Sequence, residues 1–565
     1  MRDEPPSSRE QHPPLRALGL LPLAVGLVAS LPALFNGALF DDELLIFSNP
    51  YAQSFSHLRE TLTRDFFYGP GGYEIGYYRP ASKLLFVGEY RLFGARPFGY
   101  HALSIAAFLL TIGLGQRLAG KLGLPPRAAT IGLCIFASHP AAARTVATIA
   151  SQSDLFVVAG MLGALIGYVD FQRTRARWRL ALVLLCESAA LGFKETAVIL
   201  PALLLAYQLD RERLSIRRSL RSAWAFALLP VAAYAVLRWQ LHVLPIASEA
   251  AGETLALRVT ATAKLLVATA LRSFAPLGFV PALYTERPSG ELAALATWLP
   301  PAVTLMAATG FAFLRASSLR VALCLLWFPA ALIFAAASSV HISEDPGALV
   351  LSDRWLFLPA LGASLVLGSL LDWALARIDR RALRLTVTLS VAGLIAIQTL
   401  VAVEENASYA SENTRVLHLA ALYRQAQTRP RDASEVLLAA DAITAEQRGD
   451  LTAAVAAHAQ LLALKPADSV RRYNLASALL RAGQLQAALE QAHVAFHGST
   501  LAGVELFPAN DSSGRRRAEK ALLLALIHER LGHADLAQHY FALCLALNPA
   551  DPVARSKLAA SNAAP

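Results

Sequence analysis

Two carboxylates stand side by side at Asp41 and Asp42, shortly after an apolar run and the turn pair Asn36-Gly37. A charged pair at such a boundary has two readings. It can be the solvated end of a membrane helix. It can also supply a general base at the bilayer surface, one carboxylate taking a proton from a hydroxyl nucleophile while the other orients it or binds a sugar hydroxyl. The second reading needs cations for a phosphate leaving group. Three basic residues are candidates: Arg79 in YYRP, Lys194 in GFKETAV and Arg354 in SDRWLFLP. His139, before Pro140, and Glu195, beside Lys194, complete the set as candidate substrate-binding groups. Each also has a structural reading. Sequence neighbours such as Lys194 and Glu195 do not face one another on a helix, His139 reads as a helix-end histidine, and Arg354 as a partner for Asp353. No metal is assigned, because a lone Asp-Asp pair is too little to specify a divalent cation.

The elements that must position these residues follow from composition. Of 565 residues, 55% are hydrophobic and 16% charged, against roughly 25% charged in an average soluble protein. The mean hydropathy is +0.44. These values indicate a polytopic membrane protein and exclude collagen, a disordered chain and a disulfide scaffold. Cys134, Cys186, Cys324 and Cys544 are widely spaced, form no CxxC and read as small buried hydrophobes. An apolar run at 17–35 predicts an uncleaved first helix, and further runs near 100–117, 128–142, 154–171, 179–193, 196–209, 222–240, 294–314, 321–338, 355–372 and 385–403 predict eleven spans.

Loop charges orient the spans. Clusters at Arg117/Lys121/Arg127, Arg173–Arg179, Arg211–Arg221, Arg315/Arg320 and Arg377–Arg384 fall in every second loop, which predicts those loops and the N-terminal tail 1–16 to be cytoplasmic. Most of the net charge of +10 is thus a topology signal rather than a nucleic-acid signal. Arg79, Lys194 and Arg354 fall in the other set of loops. Only seven of the 51 basic residues are lysine, so an isolated Lys194 stands out. Residues 255–285, apolar but broken by Lys264, Arg272 and Pro276, are predicted to form an interfacial or re-entrant element.

Beyond residue 404 the chain turns polar and Ala-rich. Gly449 and Gly483 lie 34 residues apart, and Gly532 opens a third copy after an insertion at 497–517. Pro466 and Pro549 each follow their glycine by 17 residues, and Ala454, Ala488 and Ala537 by five. This looks like the 34-residue tetratricopeptide repeat, or TPR. The expected fold is therefore all-α: a membrane domain at 17–404 with an outer loop at 36–99 carrying the acidic motif, a linker helix at 405–429 and a TPR solenoid at 430–565.

The strings FDDELLIFSNP, YYRPASKLLF, GARPFGYHALSIAAFLL, FASHPAAARTVATIASQSDLF, GFKETAVILPALLL and DRWLFLPALG, followed by the repeats, resemble the transmembrane-and-TPR-containing protein O-mannosyltransferase family of the GT-C superfamily. The chain departs from that pattern after His139-Pro140, where Ala142 and Arg144 replace a further His and a Glu. The resemblance implies a dolichyl- or undecaprenyl-phosphate-linked sugar as donor, transferred with inversion to a hydroxyl of a protein or glycan on the outer face of a bacterial inner membrane. It implies Asp41 and Asp42 at the catalytic centre, Arg79, Lys194 and Arg354 on the donor phosphate, and His139 and Glu195 on substrate. Apart from that lipid-linked donor substrate no cofactor is expected. The expected partner is an acceptor protein in the TPR groove, without nucleic acid. Two other readings remain open: a non-catalytic TPR scaffold for envelope proteins, and an O-antigen-ligase-like transferase, against which the short late outer loop 339–354 counts.

Overall fold

The computed structural model describes residues 14–39, 41–69, 76–211, 215, 217, 223–243, 255–274, 282–286, 291–315, 320, 322–333, 348–425, 433–497, 500–501, 504–505 and 514–562. The chain divides into two compact units. One comprises 1–36 and 96–407, the other 37–95 and 408–565. The loop that carries the acidic pair thus groups with the C-terminal region.

The first unit is a helical bundle. Its helices are α1 (Pro14–Ser30), α2 (Pro97–Lys121), α3 (Pro126–Ala137), α4 (Pro140–Ala147), α5 (Gln152–Thr174), α6 (Arg177–Phe193), α7 (Leu200–Arg211), α8 (Leu228–Gln240), α9 (Leu255–Phe274), α10 (Glu291–Arg315), α11 (Phe357–Ala376) and α12 (Arg381–Ala407). Proline opens α2, α3 and α4, where its missing N–H costs nothing. Among the described residues, four helices are long and apolar enough to cross a membrane: Pro97–Lys121, Gln152–Thr174, Arg354–Ala376 and Arg381–Ala410. Leu385, Leu389, Leu394, Ile397 and Leu400 on α12 are exposed, as side chains facing lipid would be. Hydrocarbon gives helices no hydrophobic reason to associate, so small residues and close packing must supply it. A Cβ on Gly132 of α3 would sit 2.6 Å from the Ser364 carbonyl oxygen of α11, and one on Gly368 of α11 2.3 Å from the Ala128 carbonyl oxygen of α3. Phe108, Phe136 and Phe357 close the adjacent core with ring centres 5.2–6.2 Å apart.

Of the segment 255–285, expected to be interfacial or re-entrant, residues 255–274 and 282–285 are described and 275–281 lie outside the described residues. Residues 255–274 form the continuous helix α9, packed on α10 and α11. Lys264 is accommodated over the Trp298 ring at 5.4 Å, and Arg272 falls in the last turn, where a cation meets the partial negative charge of the helix end. A two-stranded antiparallel ribbon follows, β1 (Ala282–Glu286) with β2 (Ala348–Ser352), in the register Ala282–Ser352 to Glu286–Ala348. The all-α expectation holds for the bundle and did not include this ribbon. Residues 339–347 of the late outer loop, 1–13 of the predicted tail and 426–429 of the predicted linker lie outside the described residues.

In the second unit α13 (Glu412–Gln425) leads into α14 (Ala433–Arg448), α15 (Leu451–Leu464), α16 (Ser469–Arg481), α17 (Leu485–His497), α18 (Gly514–Arg530), α19 (Ala534–Leu547) and α20 (Pro552–Asn562). Three helix hairpins turn at Gly449, Gly483 and Gly532 with φ of 75°, 76° and 78°, a left-handed conformation that suits glycine. Buried Ala476, Ala488, Ala492, Ala521, Ala525 and Ala537 bring the helices together around Leu524 and Ile527. The insertion contains a small ribbon, Thr500–Leu501 with Val504–Glu505.

Four histidines gather between α17, α18 and α19. His493 stacks on His497 at 5.6 Å and meets His528 edge-on at 5.8 Å. His528 lies parallel to Tyr540 at 5.6 Å, and its Nδ1 is 3.2 Å from Nδ1 of His533. Burial lowers the pKa of His528 from its usual 6.5, with His493 and His533 adding to the effect. Burial and His497 do the same for His493. The folded chain therefore holds fewer protons than the unfolded chain just below pH 6.5. The stabilisation is complete above that pH and is lost as pH falls through the folded values. Hydrogen exchange of the full chain should show α17–α19 opening faster at pH 5.5 than at 7.5, with α14–α15 less affected. His528→Phe, which keeps the stack on Tyr540, should reduce that difference.

Candidate functional site

The acidic pair sits on a short turn of the second unit. Asp42 precedes the wide π-helical turn Glu43–Phe47, whose Leu45 and Ile46 are buried. The backbone N–H of Leu39 donates to Oδ2 of Asp42 at 3.1 Å, and the Asp42 N–H donates to the Leu39 carbonyl at 3.0 Å. Asp42 is fully buried, while Asp41 is half-buried. The two carboxylates are therefore unequal: Asp42 is tied to its own loop and Asp41 is the more accessible.

Arg79 belongs to the same unit. It caps the helix Pro80–Phe93, and its guanidinium carbon lies 5.0 Å from the ring centre of Phe66 and 4.6 Å from that of Tyr77. The ring quadrupole attracts the cation and restrains its plane.

The other candidates belong to the first unit and surround α4 and the start of α5. His139 is 2% exposed, and its Nδ1 accepts the Ala141 N–H at 3.0 Å. It is thus the N-cap of α4, and the backbone of Arg272 and Ser273 at the end of α9 lies beside its ring. Arg354 lies in the turn Asp353–Leu356, which packs against α4. Lys194 is buried, and its Nζ donates to Oδ1 of Asp154, in the first turn of α5, at 2.5 Å. Glu195 is half-buried and opens the short turn Glu195–Ile199. Arg144 has an interior role, its Nε donating to Oε1 of Glu405 at 2.8 Å with the two side chains 4% and 1% exposed. Asn36 and Asn406 tie the same region together, donating to the Ala147 and Ala29 carbonyls at 3.2 and 2.9 Å.

Sequence reasoning missed Asp154 and Glu405. Their partners are 40 and 261 positions away, so no local spacing marks them. The scarcity of lysine was the one usable signal for the first pair. It also missed Asp65 and Lys83, buried residues beneath Arg79's loop. Among the described residues, no group of three or more His, Cys, Asp or Glu is arranged to hold a metal ion.

No family model and no curated protein matches this chain. It is similar to a crystal structure of ArnT from Cupriavidus metallidurans bound to undecaprenyl phosphate, with a TM-score of 0.40 and 16% identity over 93% of this chain and 79% of that one. The similarity to the apo state of ArnT from Cupriavidus metallidurans has a TM-score of 0.38 and 18% identity, over 85% and 80% of the two chains.

Removing one member of a buried ion pair leaves an uncompensated charge and costs about 3–5 kcal/mol, whereas replacing both by apolar groups is often neutral. Lys194→Ala should therefore lower the melting temperature of the detergent-solubilised protein clearly. Lys194→Met with Asp154→Leu should recover most of the loss. A Lys194→Ala protein as stable as wild type would show that the pair contributes nothing to the fold.

Proposed function

We propose that the protein is a membrane glycosyltransferase that moves a sugar from a polyprenyl-phosphate-linked donor to a hydroxyl of a protein or glycan acceptor, with inversion. The observation that carries this reading is the unequal acidic pair on the turn after α1, Asp42 buried and bonded to Leu39 and Asp41 half-buried. A base must be reachable, and a support need not be. Asp41 is accordingly the general base and Asp42 the residue that fixes its loop. The acceptor hydroxyl gives its proton to Asp41 as its oxygen bonds to the anomeric carbon. The bond from that carbon to the phosphate oxygen breaks in the same displacement, and polyprenyl phosphate leaves with the electron pair.

Arg79, Lys194 and Arg354 are the cations assigned to the developing phosphate charge, with Lys194 oriented by Asp154. Donors fixed in advance of the reaction stabilise such charge without reorganising during it. His139 and Glu195 are assigned to substrate, His139 through the α4 turn that it caps. The cell location in this reading is the bacterial inner membrane, with a cytoplasmic N-terminus and the hairpins α14–α19 outside. Those hairpins act as a TPR solenoid whose concave face takes the acceptor protein, as stacked repeats do. The alternation of basic clusters along the sequence and the 34-residue glycine spacing support these assignments.

The test is transfer of sugar by the purified protein from a polyprenyl-phosphate-sugar donor. Asp41→Asn should lower the rate by roughly 10²–10⁴-fold, the usual contribution of a general base. Asp42→Asn should lower it less and lower the melting temperature as well. A wild-type rate in Asp41→Asn overturns the base assignment. Absence of transfer by wild type, with envelope proteins still bound by the hairpins, points to a scaffold instead.

A further inference from the structure

Beneath Arg79 lies a buried carboxylate that the reaction scheme does not use. Asp65 is 1% exposed. Its Oδ1 accepts the Phe67 N–H at 2.7 Å, and its Oδ2 accepts the N–H groups of Gly76 and Tyr77, each at 2.7 Å. The Phe66 N–H donates to the Tyr77 carbonyl at 2.7 Å. One carboxylate thus ties two backbone segments 11 and 12 positions apart. Charge-assisted bonds of this kind are short and roughly twice as strong as neutral ones. The segments tied together carry Phe66 and Tyr77, the two rings over which the Arg79 guanidinium lies. Phe66 is itself buried and packs against Phe86 at 6.1 Å. Lys83 secures the same loop from below, its Nζ donating to the carbonyls of Glu60 and Asp65 at 3.0 and 3.1 Å.

We propose that Asp65 is a positioning residue for Arg79: by holding the amides of Phe67, Gly76 and Tyr77, it sets Phe66 and Tyr77 as the aromatic seat that orients the guanidinium toward an anionic oxygen. Stacking engages the face of a guanidinium, and its directional bonds are made through the N–H edge, the geometry by which arginine recognises phosphate. The role in donor binding rests on the glycosyltransferase reading. The aromatic seat does not.

Two measurements on the full chain in lipid nanodiscs separate these levels. The first is modification of Arg79 by phenylglyoxal, read by mass spectrometry, which reports the seat without any ligand. Asp65→Ala should raise Arg79 modification several-fold. Asp65→Asn, which keeps one acceptor oxygen for Gly76 and Tyr77 but turns a donor toward the Phe67 N–H, should give an intermediate rate. An unchanged rate in both variants overturns the proposal. The second is binding of undecaprenyl phosphate. Arg79→Ala should weaken it about tenfold, the loss expected for one charge-assisted contact. Asp65→Ala should weaken it comparably, and the double variant should bind no more weakly than Arg79→Ala alone, because coupled residues are non-additive. Effects that multiply show that Asp65 acts independently of Arg79 and overturn the proposal. If Arg79→Ala binds the lipid phosphate as wild type does, the donor-phosphate reading fails, while the phenylglyoxal result still decides the seat. Where Asp65→Ala does not fold, Asp65→Asn carries both measurements.

Discussion

A charge taken into an apolar interior must meet a counter-charge or be given up as the neutral form, and in the first unit two such pairs hold the elements around α4 and the start of α5. Arg144 meets Glu405 at 2.8 Å and Lys194 meets Asp154 at 2.5 Å, all four side chains being less than a tenth exposed. Desolvating each ion costs several kcal/mol, and only a close partner recovers it. The pairs therefore work less as a source of stability than as a constraint on arrangement. Glu405 lies near the end of α12 and Arg144 within α4, so a shift of either helix would strand a charge. Asp154 fixes the start of α5 against the segment between α6 and α7 in the same way. His139 as cap and Arg354 on the adjoining turn are thus placed around a short helix with little freedom to move.

The chain could be read accurately wherever the determinant is local. Gly449, Gly483 and Gly532 mark turns because the backbone angle is a property of the residue itself, and all three adopt nearly the same φ. Apolar runs mark helices for a similar reason, since helical hydrogen bonds are internal to the segment. The acidic pair was visible because it follows closely on an apolar run. Non-local determinants were hidden. Lys194 was picked out by the rarity of lysine, but Asp154 had no mark of its own. Arg144 read as a departure from a motif, and only its contact with Glu405 gives it a place in the interior. Strands β1 and β2 were missed because each spans only five residues, too few to show a period, and their partners are remote in sequence.

Asp65 illustrates the same limit at the functional level. In the sequence it stands in an aromatic and acidic stretch and offers no spacing argument. Its significance comes from backbone amides, which carry no residue identity and leave no signature. A carboxylate that accepts three amides cannot be inferred from the residues supplying them, because any residues could supply them. Side-chain motifs can therefore identify Arg79 as a candidate, but not the means by which it is held.

The inequality of Asp41 and Asp42 has a geometric origin. Successive residues in a helical turn point roughly 100° apart, so adjacent carboxylates on such a turn do not share an environment. When one is directed inward, it must find a donor, and Asp42 finds the Leu39 N–H. The other is left half-buried by the same rotation. An adjacent acidic pair at a helix boundary is thus suited to a division of roles rather than to two equivalent ligands. The buried carboxylate accepts from the chain at the Leu39 N–H, and the half-buried one is the more exposed of the two. The same rotation explains why composition alone could not say which of the two aspartates is buried.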